Sequence, residues 1–247
     1  MRRSIFHAAV ITVALGAAPA QASVIFFSNN AAGFAAAMAG NSSLGVEDFE
    51  GSTLLAGVQA MNDPLVQGVA NSLYPTGLAK PVTVQSNIFG TAAVTPSPRG
   101  LQGLAALAAG SAGATSDVIV ANTFTDSLDL IFSAADQIRG VGFNTLNFQF
   151  TENVLVQVFN TSNALLGSTT IAANPAGDNH LGIEATGADV IGRVNIFSIA
   201  EGNEGADNIE LFSASTVTRV AEPASLALIV SGLMGRQLSL RRRRRRE

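Results

Sequence analysis

Between residues 23 and 220 this chain of 247 residues carries one imidazole, 16 carboxylates and no thiol, and any chemistry has to come from those. The imidazole is His180, because the other histidine, His7, lies in an apolar N-terminal segment. One histidine excludes a multi-histidine zinc centre. The absence of cysteine excludes thiolate metal ligands, a cysteine nucleophile and disulfides. Asp178 stands two residues from His180, as two members of a Ser-His-Asp triad could. No Gly-x-Ser-x-Gly elbow between a strand and a helix accompanies them. In Gly177-Asp178-Asn179-His180 the ring reads as a solvated turn residue.

The carboxylates gather in two places, Glu47, Asp48 and Glu50 near one end and Glu201, Glu204, Asp207 and Glu210 near the other. A glycosidase needs two carboxyl groups roughly 5–10 Å apart across a cleft. It also needs rings on which a sugar can lie, and Trp and Tyr supply these while keeping a polar edge wet. Here there are 14 Phe, one Tyr (Tyr74) and no Trp. Phe fills cores, so hydrolysis would have acids but no sugar subsites. Most of these acids are expected to be solvated loop and strand residues. Their oxygens are also the donors that calcium takes, six to eight at a time, from irregular loops. No EF-hand loop and no glycine–aspartate nonapeptide repeat is present.

The net charge of -4 hides an asymmetry. Nine of the 14 Lys+Arg lie at the two ends (Arg2, Arg3, Arg236 and Arg241 to Arg246), leaving five between them. Glu222 and Glu247 are the only two of the 18 Asp+Glu outside residues 23–220, so that stretch is near -11. Such a surface repels nucleic acid and anionic lipid and tolerates divalent cations.

The elements that must position these groups are mostly strands. Asn30 to Gly40 suits one short helix capped by Asn29 or Asn30. Val46 to Gly51 reads as a strand followed by a turn. Residues 52–116 are rich in Gly, Pro, Asn and Ser, with Pro64, Pro75, Pro81, Pro96 and Pro98 ruling out long helices. Val82-Thr83-Val84 and Ile88-Phe89 suggest brief strands there, and Leu101 to Ala112 fits no one pattern. From Asp117 the pattern clears. Val118–Val120, Leu128–Phe132, Ile138–Phe150, Val154–Phe159, Ala164–Ile171, Leu181–Ile183, Val190–Ile199 and Ile209–Phe212 are short apolar or alternating runs. Polar turns such as Asn160-Thr161-Ser162-Asn163 separate them. Short alternating strands at this spacing predict an all-β fold, an antiparallel β-sandwich closed as a jelly roll. Asn41-Ser42-Ser43 and Asn160-Thr161-Ser162 match the N-glycosylation acceptor pattern, and the second is explained by the turn.

Both ends carry transport signals. Arg2 and Arg3, the apolar run Ile5 to Ala17, and the small-x-small sites Ala18-Pro19-Ala20 and Ala20-Gln21-Ala22 form a signal peptide over residues 1–22. Signal peptidase and the Sec machinery would handle it, leaving a domain over 23–220. Residues 221–247 run Ala221-Glu222-Pro223, an apolar segment from Ala224, Arg236, and then Arg241, Arg242, Arg243, Arg244, Arg245 and Arg246. Six arginines stay on the cytoplasmic side, since each charge at the bilayer centre costs about 2.5–3.5 kcal/mol. They make a stop-transfer cluster behind a short C-terminal transmembrane helix. A stable span takes roughly 20 apolar residues. Ala224 to Leu240 offers 17, and Arg236 can snorkel.

Glu222-Pro223-Ala224-Ser225-Leu226-Ala227-Leu228 followed by Arg241 to Arg246 resembles the PEP-CTERM sorting signal of Gram-negative bacteria. Ala221 stands where the motif has its first Pro, and Arg236 interrupts the apolar run. The resemblance implies export, transient residence in the inner membrane, and processing by an exosortase near Glu222-Pro223. The destination it implies is the cell surface or the extracellular matrix, within exopolysaccharide and biofilm. More weakly, Gly140-Val141-Gly142-Phe143, Phe159-Asn160, Leu166-Gly167, His180 to Ile183, Arg193 to Ile196 and Asp207-Asn208-Ile209 resemble the jelly-roll ectodomains of such proteins. In jelly-roll binding domains a structural calcium often joins an early acidic segment to the last strand. That likeness puts Glu47 or Glu50 with Asp207, supplemented by Asn203 or carbonyls around Gly205. The function implied is a non-catalytic structural or adhesive role. A calcium-stabilised carbohydrate-binding module is the alternative, and a polysaccharide hydrolase with an unrecognised carboxylate pair is a further one.

Overall fold

The computed structural model describes residues 24–87, 97–111, 113–123, 125–147, 151–174, 176, 179–198, 202 and 204–215. The expected signal peptide, the expected sorting tail with its transmembrane helix, and the expected strand Ile88-Phe89 lie outside them. No helix among the described residues is long and apolar enough to cross a membrane.

The chain begins with β1 (Val24–Ser28), the helix α1 (Ala31–Met38) and β2 (Ser42–Glu47). The Gly/Pro-rich stretch then supplies four short strands, β3 (Val58–Met61), β4 (Leu65–Val66), β5 (Thr83–Asn87) and β6 (Leu104–Leu107). Eight more follow: β7 (Val118–Ala121), β8 (Ser127–Ile131), β9 (Ile138–Asn147), β10 (Glu152–Asn160), β11 (Leu165–Ala173), β12 (Asn179–Ala185), β13 (Ile191–Ser198) and β14 (Glu204–Ser213).

They build two antiparallel sheets. One has the order β1-β12-β9-β14-β7-β6-β3, with β2 also on β14, and the other runs β11-β10-β13-β8-β5-β4. The last eight strands pair from the outside in: β7 with β14, β8 with β13, β9 with β12 and β10 with β11. Successive nested pairs alternate between the sheets, which is the strand order of a jelly roll.

Side chains alternate across each strand, and the inward ones make the core. Val141 and Phe143 face Val154, Val156, Val158, Val194 and Ile196 across the gap, all of them buried. β6 shows why Leu101 to Ala112 fits no pattern in the sequence. Leu104 and Ala106 join the main core, while Ala105 and Leu107 join a second cluster with Val118, Val120 and Leu146. A strand buried on both faces has no alternation to read.

Two local features set up the acidic sites. β2 ends at Glu47, earlier than the sequence suggests, and two residues on Phe49 adopts φ 58 while fully buried. A bulky residue seldom takes that conformation. Here the Tyr74 hydroxyl donates to the Phe49 carbonyl at 3.3 Å and the two rings meet edge to face. The second feature is a register shift in β14 between Asp207 and Glu210, with Asn208 at φ 50. Before this bulge β14 pairs with β7, and after it with β2.

The helix forms as expected, capped by the Asn30 side chain, which accepts from the Gly33 amide at 3.0 Å. It lies over β12 and β9 on the outer face of the larger sheet, where Gly182 and Gly142 are register partners. A Cβ at Gly182 would come within 2.4 Å of the Phe34 ring, and one at Gly142 within 2.7 Å. The paired glycines are the slot into which Phe34 sinks. Gly182→Ala is therefore expected to cost about 1–3 kcal/mol by overpacking, read as a lower urea midpoint. A neutral result would show that the helix is not seated on the sheet.

Candidate functional site

The buried acids fall into three assemblies, held by backbone amides in the first and largely by side chains in the other two. The first lies where β2 meets β14. Glu47 Oε2 accepts from the amides of Ala79 and Lys80 at 2.7 and 2.9 Å, which pins the loop before β5. Glu50 Oε1 accepts from the Asp117 amide at 2.9 Å. Asp117 in turn accepts from the Ala109 amide at 3.0 Å and the Ser52 hydroxyl at 2.6 Å. Asp207, on the bulge, accepts from the Ser116 hydroxyl and from both the amide and side chain of Asn208. Burial raises its pKa to about 6, against the pull of the Ser116 and Asn208 bonds and with help from the negative charges of Glu50 and Asp48.

The expected meeting of an early acidic segment with the last strand is present, since Glu47 is the register partner of Ile209. Glu50 and Asp207 feel each other's charge. Glu47, by contrast, has its Oε2 committed to two amides. Among the described residues no group of three or more Asp, Glu or His side chains is arranged to hold a metal ion. Asn203 and Glu201 lie outside those residues.

The second assembly is a polar row on the smaller sheet. Gln85, Asp129 and Asn195 are register partners on β5, β8 and β13. All three are buried. Asp129 Oδ1 accepts from Arg193 Nη1 at 3.0 Å and Asn195 Nδ2 at 2.6 Å. Arg193 also donates to Asn163 Oδ1 from Nε and Nη2, and its guanidinium sits 4.0 Å from the Phe159 ring centroid. Burial raises the Asp129 pKa, and Arg193, Asn195 and Asn87 pull it back. Beside Arg193 a depression of about 260 Å³ is lined by Ile131, Phe132, Asn160, Thr161 and Asn163 among others. Asn160-Thr161-Ser162-Asn163 is the expected hairpin turn. Its second task, presenting Asn163 to Arg193, needs the tertiary fold and was not legible.

The third assembly closes one end of the sandwich. Arg99 grips Asp126 through Nη2 and Nε at 2.5 and 2.6 Å, and Asp126 also accepts from the Ser86 hydroxyl at 3.1 Å. Asp63 Oδ2 accepts from the amides of Ser86 and Arg99 at 3.1 and 2.9 Å. Burial lifts the Asp63 pKa to about 6, partly offset by those amides. Asn147 and Ser198 both donate to Glu152 Oε1. Glu204 is fully buried, and burial drives its pKa well up. The expectation of mostly solvated acids is corrected in part, since Asp48 and Glu50 are exposed and Glu210 is half-buried, but Glu47, Glu204 and Asp207 are not. Glu47, Asp63, Asp117, Asp126, Asp129, Glu204 and Asp207 are all buried.

His180 is corrected as well. It sits within strand β12, not in a solvated turn, with its ring 5.8 Å from Phe34. Neither ring nitrogen has a hydrogen-bond partner, and burial lowers its pKa, opposed by Glu210. Asp178 lies outside the described residues. A histidine held neutral between a phenyl ring and a sheet makes no contact that would activate a nucleophile.

The chain matches no protein-family model and no curated protein. Among solved structures it is similar to the family 11 carbohydrate-binding module of the cellulosomal cellulase Lic26A-Cel5E of Clostridium thermocellum. That likeness has 8% identity and a TM-score of 0.27, covering 70% of this chain and 97% of that one.

Two outcomes follow from these assemblies. Arg193→Met leaves Asp129 buried without its counter-charge and is expected to cost about 3–5 kcal/mol, seen as a lower urea midpoint. Asp63 and Asp207 have folded pKa values near 6, above the ordinary carboxylate value of 3.8. The folded state therefore binds more protons between those values, and stability falls as pH rises from about 4 to 6. Asp207→Asn is expected to flatten its share of that fall in pH-dependent melting. An unchanged slope would mean that Asp207 is solvated.

Proposed function

We propose that this chain is an exported, non-catalytic envelope or extracellular-matrix protein, sorted by an exosortase-type system and acting structurally or adhesively in exopolysaccharide. The observation that carries the reading is the three-part order of the tail, Glu222-Pro223, an apolar segment and Arg241 to Arg246, on a chain that also begins with a signal peptide. The domain between is in keeping with it. Its acids are built into the frame, its one imidazole has no partner, and its surface is acidic. Export by Sec, removal of residues 1–22, retention in the inner membrane by residues 224–246, and exosortase cleavage near Glu222-Pro223 form the sequence of events. A structural calcium, which would stiffen the sandwich without conferring turnover, belongs to the same reading.

A second reading, a carbohydrate-binding module, is favoured by the amide and hydroxyl groups of Asn160, Thr161 and Asn163 around the depression beside Arg193. The lack of Trp and the burial of Tyr74 weigh against stacked sugar recognition.

Intact mass and localisation test the first reading, with the native chain set against one lacking Arg241 to Arg246. The expected native product lacks both ends and lies outside the inner membrane, and the deletion abolishes that product. A native chain found in the membrane with its arginines still attached would leave a tail-anchored periplasmic domain instead. Glycan-array binding lost on Asn163→Ala would favour the module.

A further inference from the structure

Five strands bring their ends together at one rim of the sandwich. β9 finishes at Asn147, β13 at Ser198, and β10 and β14 begin at Glu152 and Glu204. Asp126 immediately precedes β8. Counting by two along each strand puts their side chains between the sheets. Ala206, Val154, Ile196 and Leu128 each lie two residues away and belong to the main core. Asn147 and Glu204 are register partners.

Glu204 is the unsolved group there. It is 0% exposed, and neither carboxyl oxygen has a hydrogen-bond partner. The backbone amides of Glu204 and Ser198 offset only part of the cost of its burial. The charges acting on it, Asp126 and Glu152, are both negative. The nearby cation, Arg99, already spends two donors on Asp126. Protonation would remove the charge of Glu204 but leave its oxygens unpartnered. A water could partner the oxygens but would not offset Glu152 and Asp126. A cation does both.

We propose that a divalent hard cation, calcium by its donor set, binds between the sheets at this rim. Its ligands are the Glu204 and Glu152 carboxylates, the Ser198 hydroxyl and the Asn147 amide oxygen, with water completing the shell. Every donor is oxygen, which suits calcium or magnesium and not zinc or copper. Calcium tolerates an irregular shell of six to eight ligands, and magnesium demands an octahedron. Asn147 presents its oxygen after a half-turn about its Cβ–Cγ bond, a choice that the hydrogen-bond network alone assigns. Only two carboxylates take part, in keeping with the absence of any three-acid cluster among the described residues. This rim is separate from Glu47, Glu50 and Asp207, and it alone of the two holds a fully buried acid, Glu204, whose oxygens accept no hydrogen bond. The ion would tie the start of β14 in one sheet to the start of β10 in the other.

The test uses the exported chain after chelator treatment, with calcium chloride or magnesium chloride as the only added ligand. Melting temperature and calorimetric titration are read together. Calcium is expected to raise the Tm by several degrees in a concentration-dependent way, as mass action requires of a native-state ligand, and more than magnesium does. Glu204→Gln is expected to remove that response, and so is Glu152→Gln, which guards against a folding defect in the first variant. Asp207→Asn is expected to keep it. The proposal is overturned if calcium leaves the native Tm unchanged. It is also overturned if the response survives in both glutamine variants, or if it is lost only in Asp207→Asn, which would place the ion at the β14 bulge. None of these outcomes bears on the sorting tail.

Discussion

The constraint on which the rest of the structure depends is a shortage of positive charge. Residues 23–220 hold 16 carboxylates and five cations, and a buried carboxylate needs partners or it loses its charge. Two cations are used for the deepest acids, Arg193 for Asp129 and Arg99 for Asp126. Glu47, Glu50, Asp63 and Asp117 take backbone amides, while Asp207 and Glu152 take side-chain donors and the Glu204 oxygens take no partner. Glu47 holds the loop at Ala79 and Lys80, Glu50 holds Asp117, Asp117 holds Ala109, and Asp63 holds Ser86 and Arg99. All of these bonds except that of Asp117 with Ala109 join residues 23 or more apart in the chain. The acids do for the irregular segment 52–116 what sheet pairing does for the later strands.

That arrangement bears on function by using up the groups a catalyst would need. A carboxylate that accepts from an amide inside the frame is not free to take a proton from water at a substrate. The same holds for His180, whose ring is packed on Phe34 and lacks an acid to orient it. The proposed role as non-catalytic cargo is in keeping with how these polar groups are employed, and the proposed matrix destination rests on the two termini.

The second half of the fold was legible in the sequence because its strands are half-buried. Val154, Val156 and Val158 face the core while Asn153, Leu155 and Gln157 do not, and alternation of that kind survives without tertiary information. The helix was legible through Asn30, which caps it as expected. β6 was harder, since it is buried on both faces. The first acidic segment was only half legible, because the turn at Phe49 comes from its packing against Tyr74 and not from a turn residue. The acidic start of β14 misled for a different reason. Its polarity suggested a loop, yet stepping by two from the core residue Ala206 places Glu204 inward. Arg193 and Asn163 are 30 residues apart, and only the nesting of β13 beside β10 brings them together.

The central claim is that these acids belong to the interior frame. A side-chain carboxyl titration of the calcium-free exported chain, followed by NMR, tests it residue by residue. Asp63 and Asp207 are expected to titrate near 6 and Glu204 well above the ordinary glutamate range. If all three titrate as solvated carboxylates do, near 4, the acids are surface groups and the account of how this domain is held together is wrong.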